Sequence, residues 1–254
     1  MIPIKKGEEI EGMRRSGQAI AEIRDRLATL VKPGVTTKDL DEAAAKMIRE
    51  VGGKSPFHGY RGFPGHICAS VNEEVVHGIP GKRKLLYGDV LKMDVGIVLG
   101  GWVGDTAISV PVGAIASETE ALLARTQLAL AKGIEQARAG NRLGDVSAAI
   151  ERCVLDAGYS VVKEFVGHGV GRSLHEEPQI PNYGRPGSGP LLKAGMTLAI
   201  EPMVNLGKEA VRILKDGWTV VTVDGKPSSH FEHTVLVTED EPEILTCRKN
   251  PTLS

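Results

Sequence analysis

Residues 32–52 (KPGVTTKDLDEAAAKMIREVG) lie over residues 138–158 (RAGNRLGDVSAAIERCVLDAG) without a gap. Gly34 falls on Gly140, Asp39 on Asp145, Ala43 on Ala149 and Gly52 on Gly158. Each copy reads as a glycine turn followed by an amphipathic helix that closes on glycine. Each is also preceded by a longer helical pattern. In residues 7–31, Ile10, Met13, Ile20, Ile23, Leu27 and Leu30 recur at helical spacing among charges, and Lys32-Pro33-Gly34 stops the run. Residues 117–138 repeat the pattern, with Ser117 as the expected N-cap. The helix of the first copy is expected from about Thr37, capped by Thr36 or Thr37, to Gly52-Gly53. Helix ends favour Gly and caps favour Asp, so chance agreement is one account. Internal duplication is the better one, because strand-like sequence follows both copies.

Those strand-like runs are 67–72, 75–78 and a hairpin in the first half, and 161–167, 196–202, 218–224 and 230–238 in the second. Helices grouped ahead of hairpin-connected strands indicate an α+β fold, an antiparallel sheet with one face covered by helices. The chain shows no linker or low-complexity segment. It reads as a single domain over 1–254, made of two pseudo-twofold related halves, about 1–113 and 114–254, with a site expected at their seam.

The hairpin is Asp89–Val110 (DVLKMDVGIVLGGWVGDTAISV). Leu91, Met93, Val95 and Ile97 alternate with Lys92 and Asp94, and Gly100-Gly101 suits a two-residue turn. That turn pairs Met93 with Ile108 and Leu91 with Val110. Asp94 then faces Ala107, diagonal to Asp105 on the polar face, with roughly 5–8 Å between their Cβ atoms. Like charges that close are unfavourable without something positive between them, and a divalent metal qualifies. Two solvated acids on an exposed face are the alternative from this stretch alone.

Lys and Arg number 31 against 32 Asp and Glu, and no basic block points to nucleic acid or a membrane surface. The N-terminus lacks a signal-like apolar core, and no later run is long enough to span a bilayer. Cys68, Cys153 and Cys247 are scattered without CxxC spacing, which argues against a disulfide framework or zinc ribbon and fits a reducing cytoplasm.

Further polar groups interrupt strand-like runs: His168 in GHGVGR, Glu201 at the end of TLAIEP and Glu232 in FEHTVLV. Each alone is more often structural. With Asp94 and Asp105 they make four carboxylates and one imidazole on core strands, and buried charges need partners or metal. This oxygen-rich set without thiolate suits Mn, Fe or Co at least as well as Zn, and its charge suits two divalent ions. His77 and His175 have no ligand spacing. They read as ligands, as donors to a carbonyl or oxyanion, or as loop hydrogen-bonders. His58, His66, His230 and His233 read as loop hydrogen-bonders. Phe57, Tyr60 and Phe63 fall in one Gly/Pro-rich loop, either lining an apolar pocket or forming a satellite core.

Together, the segments YRGFPGHICASVNEEVVHGIPG, MDVGIVLGGWVGDTAISV, GHGVGRSLHEEP, LAIEPM and FEHTVLVT resemble the type I methionine aminopeptidases of the pita-bread metallopeptidase group. The resemblance runs over nearly the whole chain. It implies the pita-bread fold, a curved antiparallel sheet built from duplicated helix-helix-strand units. It also implies a cytoplasmic, monomeric hydrolase that removes initiator methionine from nascent chains, at the ribosome in one version, and prefers small second residues. By the same resemblance Asp94, Asp105, His168, Glu201 and Glu232 hold two metals, a type of centre that aminopeptidases share with other hydrolases. Glu201 also relays protons. His77 lies near the scissile amide, and His175 steadies the tetrahedral oxyanion. Tyr60, Phe63, Cys68 and Trp218 line the methionine pocket, and Asn72 and Ser228 lie near a monovalent cation. Phe57 and Leu174 depart from the usual pocket residues, in opposite senses of volume. The absence of an N-terminal zinc-binding extension and of a large insertion favours type I. An Xaa-Pro peptidase of the same fold, usually with an extra N-terminal domain, is the enzymatic alternative. A non-catalytic relative is the other alternative, though such relatives usually lose ligands.

Overall fold

Helices α1 (Glu8–Ala28) and α2 (Thr37–Glu50) precede strand β1 (Ile67–Val71) and the hairpin strands β2 (Val90–Leu99) and β3 (Trp102–Pro111). The order then recurs. Helices α3 (Ser117–Glu135) and α4 (Leu143–Leu155) precede a run of shorter strands. These are β4 (Ser160–Val161), β5 (Gly167–Gly169), β6 (Glu176–Ile180), β7 (Thr197–Ile200) and β8 (Met203–Asn205). After them come β9 (Val211–Ile213), β10 (Val220–Thr222), β11 (Ser228–His230), β12 (His233–Leu236) and β13 (Glu243–Ile244). This computed structural model describes residues 1–247.

The two aligned copies share their local chemistry. Thr36 Oγ1 accepts from the Asp39 N–H at 3.1 Å, and the Asp39 carboxylate accepts from the Thr36 N–H at 2.8 Å, a capping box. At the start of α4 the Arg142 N–H donates to the Asp145 carboxylate at 2.7 Å, the matching half of that exchange. Gly34 and Gly140 have φ of 89° and 90°, and their N–H groups donate to Leu85 and Leu192. The start of α3 differs from expectation: the cap is Ala116, and Ser117 is the first helical residue. The Ala116 carbonyl takes the Thr119 and Glu120 N–H groups, so no side-chain cap is used.

The hairpin has the expected register, with Met93 opposite Ile108, Leu91 opposite Val110 and Asp94 opposite Ala107. Gly100 (φ 59°) and Gly101 (φ 79°) both take the positive φ that its two-residue turn requires. Leu91, Met93, Val95 and Ile97 pack with Ile20, Ile23 and Leu27 of α1 and Leu40 and Ile48 of α2. In the second half Leu198, Ile200 and Val235 pack with Leu122, Leu130, Val146 and Ile150 of α3 and α4. Period-2 alternation therefore gives one sheet face to the helices and leaves the other to the polar residues.

Strands β1-β2-β3 form one sheet and β13-β12-β7-β5-β6 another, with smaller groups β11-β8-β4 and β10-β9, every pairing antiparallel. Cross-links join the two larger sheets along β3. The Glu232 N–H donates to Ala107 O at 3.0 Å, Thr234 Oγ1 to Asp105 O at 2.8 Å, and Thr106 Oγ1 to Glu232 O at 2.8 Å.

Several expected strands are shorter or broken. Residues 75–78 form no strand. Their backbone is claimed by its neighbours instead: the Val75 N–H donates to Val220 O, the Val220 N–H to Val76 O, and the Ala69 N–H to Gly78 O. The run 161–167 survives only at its ends. The runs containing Glu201 and Glu232 each break at the glutamate, because successive strands pair with different partners there. Lys92, on the polar face of the hairpin, is not solvated. It is 1% exposed, and its Nζ donates to Asn72 O at 2.6 Å. Burial pushes its amine down to about 7, against the pull of Glu74, Glu73 and Asp89. Among the described residues no helix is long and apolar enough to cross a membrane.

Candidate metal centre and substrate cleft

Asp94 projects from β2 and Asp105 from β3, while His168 comes from β5. Glu201 and Glu232 sit in the breaks after β7 and β11, where leaving the ladder lets each side chain turn toward the seam. All five line one cavity of about 660 Å³. A ligating atom from each of Asp105, His168 and Glu232 lies within 4.8 Å of the others. His168 Nε2 is 3.4 Å from Glu201 Oε1 and 3.8 Å from Asp105 Oδ2, beyond good hydrogen-bonding distance.

The electrostatics of this cluster are unfavourable without a cation. Asp94 Oδ1, Asp105 Oδ1 and Glu232 Oε1 are buried with no hydrogen-bond partner among the described residues. Burial pushes the Asp94 carboxyl up to about 7 and the Glu201 carboxyl up to about 8. Burial first, then the neighbouring carboxylates, hold Asp105 and Glu232 well above the usual carboxylate range. Four acids facing one another, three of them with orphaned oxygens, match a site for positive charge, and their formal charge matches two divalent ions. His168 fits the same role. Its Nδ1 is 2.9 Å from the Gly169 carbonyl, which can only accept, so the proton is on Nδ1 and Nε2 presents its lone pair. Burial lowers its pKa to about 4, so it stays neutral. Cys68 lies beside the acids but is no thiolate. Burial and the charges of Asp94, Asp105 and Glu232 push its thiol well up.

The wall above the acids is largely apolar. Phe57, Tyr60, Phe63, Cys68, Leu174 and Trp218 all line it. Phe63 and Trp218 meet edge to face at 5.1 Å, and Phe57 and Leu174 belong to the same buried cluster. Both further histidines also face the cavity. His77 lies edge-on to Phe165 (5.5 Å) and Trp218 (6.3 Å), and burial lowers its pKa to about 4. Its φ of 59° is the left-handed conformation rarely adopted by residues other than glycine, a common feature of functional positions. The His175 ring is 4.4 Å from that of His168, and its Nδ1 is 3.0 Å from Tyr60 Oη. Asn72 and Ser228 lie outside this cavity's lining and meet each other, the Ser228 N–H donating to Asn72 O at 3.1 Å.

Some contributors were not legible in the sequence. His230 is not a loop residue but lies on β11, 1% exposed, with Nε2 3.5 Å from Glu201 Oε2. Phe165 meets the His77 ring edge to face, and Arg61, Glu164, Gln179 and Met203 also line the cavity. Phe165 alone carried a signal, as one of only four phenylalanines in the chain. His58 and His66 do serve loop contacts, to Pro64 O and Asp41.

A carboxylate-rich donor set beneath an apolar wall bearing two neutral imidazoles is the arrangement of a metal-dependent hydrolase. The profile of metallopeptidase family M24 matches residues 11–239. Methionine aminopeptidase 1 of Bacillus subtilis is 50% identical over 246 residues, covering 97% of this chain and 99% of that protein. The crystal structure of methionine aminopeptidase from Rickettsia prowazekii superposes with a TM-score of 0.96 at 42% identity, covering 97% of this chain and 100% of that one. The chain belongs to metallopeptidase family M24, in the branch formed by the methionine aminopeptidases, and has their α+β pita-bread fold. Prolidase from Pyrococcus furiosus shares the fold alone, with a TM-score of 0.77 at 19% identity over 66% of its length.

Proposed function

We propose that the protein hydrolyses the first peptide bond of polypeptides that begin with methionine, releasing that residue. The observation that carries this reading is the cavity itself, in which five ligand-type side chains underlie a wall of Phe57, Tyr60, Phe63, Cys68, Leu174 and Trp218. Asp94, Asp105, His168, Glu201 and Glu232 would hold divalent ions, with Mn, Fe, Co and Zn as candidates. When bound, such ions polarise a carbonyl and make water a better nucleophile at neutral pH.

The chain's own residues supply the rest. Phe57, Tyr60, Phe63, Cys68, Leu174 and Trp218 take the methionine side chain, where an unbranched thioether packs well against aromatic edges. His175, neutral because burial lowers its pKa, presents Nε2–H to the carbonyl oxygen as charge develops. For that, Tyr60 Oη must donate to Nδ1, which fixes the tautomer. His77 stands as a neutral imidazole beside the incoming chain. Glu201, its carboxylate oxygens 3.4 Å from His168 Nε2 and 3.5 Å from His230 Nε2, is the carboxylate assigned to proton relay toward the departing amine. Confinement by these walls favours small second residues. A monovalent cation at Asn72 and Ser228 is left out of this reading, since Lys92 Nζ stands 2.6 Å from the Asn72 carbonyl oxygen.

The matching caps of α2 and α4 support one catalytic domain built from two halves, about 1–113 and 114–254, with the site at their seam. Nascent chains, met in the cytoplasm and at the ribosome by a monomeric enzyme, are the substrates this reading implies. The test is a peptide panel after chelation and reloading with each metal in turn. Met-Gly-Met-Met is expected to lose methionine while Ala-Pro peptides stay intact. No cleavage with any divalent metal would overturn the reading, and preference for Ala-Pro would replace it with a prolidase-like one.

A further inference from the structure

Lys92 is among the largest fully buried side chains of the protein, and the hydrolytic chemistry does not use it. Its strand carries Asp94 two residues on, but its own side chain leads elsewhere, to the carbonyl oxygen of Asn72 at 2.6 Å. That oxygen is held firmly. Asn72 has φ 55°, and its side chain spans the approach to β2, donating to Asp89 Oδ1 at 2.8 Å and accepting from the Val90 N–H at 2.9 Å. The same carbonyl accepts the Ser228 N–H at 3.1 Å. A carbonyl oxygen has two lone pairs, and here both are taken. Ser228 Oγ turns its proton to Val204 O at 3.1 Å.

Asn72 and Ser228 are the positions at which the family resemblance implies a monovalent cation. An ion held between these residues would need their oxygen atoms, and beside the Asn72 carbonyl a nitrogen already stands. The surroundings suit that nitrogen, because the acids Glu73, Glu74 and Asp89 all favour positive charge at this point. Yet its place does not hang on its charge, since an amine and an ammonium alike carry an N–H to give the carbonyl. The residues present therefore do not fit a free ion, and the structure assigns its place to Lys92. The amino group is a built-in substitute, tying the metal-bearing hairpin to the 72–74 turn and, through Asn72, to β11 of the other half. The protein then takes up neither Na⁺ nor K⁺ at this point. This inference does not depend on the peptidase reading, because stability and ion binding report on it without cleavage.

The test uses the full chain loaded with Mn²⁺ and melted in KCl, NaCl and choline chloride at equal ionic strength of about 0.15 M. The wild-type Tm is expected to agree across the three salts within about 1 °C. Thallium-205 NMR should show no saturable broadening that K⁺ competes away. A saturating rise of Tm with K⁺ or Na⁺, or competed thallium binding, would overturn the inference. Lys92→Ser empties the place beside the carbonyl. It is expected to melt lower in choline and to recover roughly 5 °C or more as KCl or NaCl saturates the vacated site. A folded Lys92→Ser protein that melts alike in all three salts would also overturn the inference. Lys92→Gln, which keeps most of the stem, is read the same way if the serine variant does not fold, and if neither folds in any salt the wild-type titrations decide.

Discussion

Tyr60 and His175 show how much rests on a single hydrogen. The 3.0 Å contact between Tyr60 Oη and His175 Nδ1 can be made with either group donating, and only one choice leaves His175 Nε2 with a proton to offer. A phenol donates far more readily than it accepts, so the contact selects the useful tautomer. Tyr60→Phe removes it while keeping the ring against the pocket. Turnover of Met-Gly-Met-Met is expected to fall about tenfold, the worth of one neutral hydrogen bond, with KM little changed. His175→Ala removes the donor itself and should lower kcat by roughly 10²-fold with metal content intact, as metal analysis of the purified variant can show. His77 is the complementary case. Burial lowers its pKa from 6.5 to about 4. The folded protein therefore declines a proton that the unfolded chain accepts, so this contribution to stability is full above pH 6.5 and is lost as pH falls toward 4. Nitrogen-15 NMR of the imidazoles should show His77 neutral at pH 5.5. A midpoint near 6.5 would contradict the burial argument.

The elements were legible where one periodicity held over a long run and illegible where pairing changed within a run. The hairpin register could be read because alternation and the Gly100-Gly101 turn agree. The breaks at Glu201 and Glu232 could not, since TLAIEP and HFEHTVLVT look continuous and only tertiary partners interrupt them. The same holds for Lys92, placed on the correct face, whose buried amine finds its partner in Asn72 of another segment. Helix α1 illustrates a contact between elements that side-chain patterns do not announce. A Cβ at Gly104 of β3 would stand 2.6 Å from Ser16 O and 3.0 Å from Gly17 N, both backbone atoms of α1. Helix and strand thus meet backbone to backbone at the outer end of the hairpin. Gly104→Ala forces them apart and is expected to destabilise by about 1–3 kcal/mol. At roughly 2–4 °C per kcal/mol for a chain of this size, the loss should register in a thermal melt. An unchanged Tm would mean that the helix can shift freely over the strand.

At the scale of the molecule, the two larger sheets meet where buried carboxyl groups crowd one another, and either protons or cations relieve that crowding. Without metal, Asp94 is held at about 7 and Glu201 at about 8, with Asp105 and Glu232 raised as well. A carboxyl whose pKa is higher folded than unfolded keeps its proton better in the folded state. Its favourable contribution is complete below the unfolded pKa, near 4, and is lost as pH rises through 7 to 8. The metal-free protein is therefore expected to lose stability steadily from about pH 5 to pH 8. The neutral histidines act in the opposite direction, and only below about 6.5. Divalent ions replace the protons, so the loaded protein should keep its Tm across the same interval, and the gap between the two melting curves should widen with pH. Melting the chelated and reloaded protein in parallel at each pH measures that gap. A gap that stays constant would show that the seam carboxylates are not titrating together, and the crowding of carboxyl groups where the two sheets meet would then be no part of what ties folding to metal.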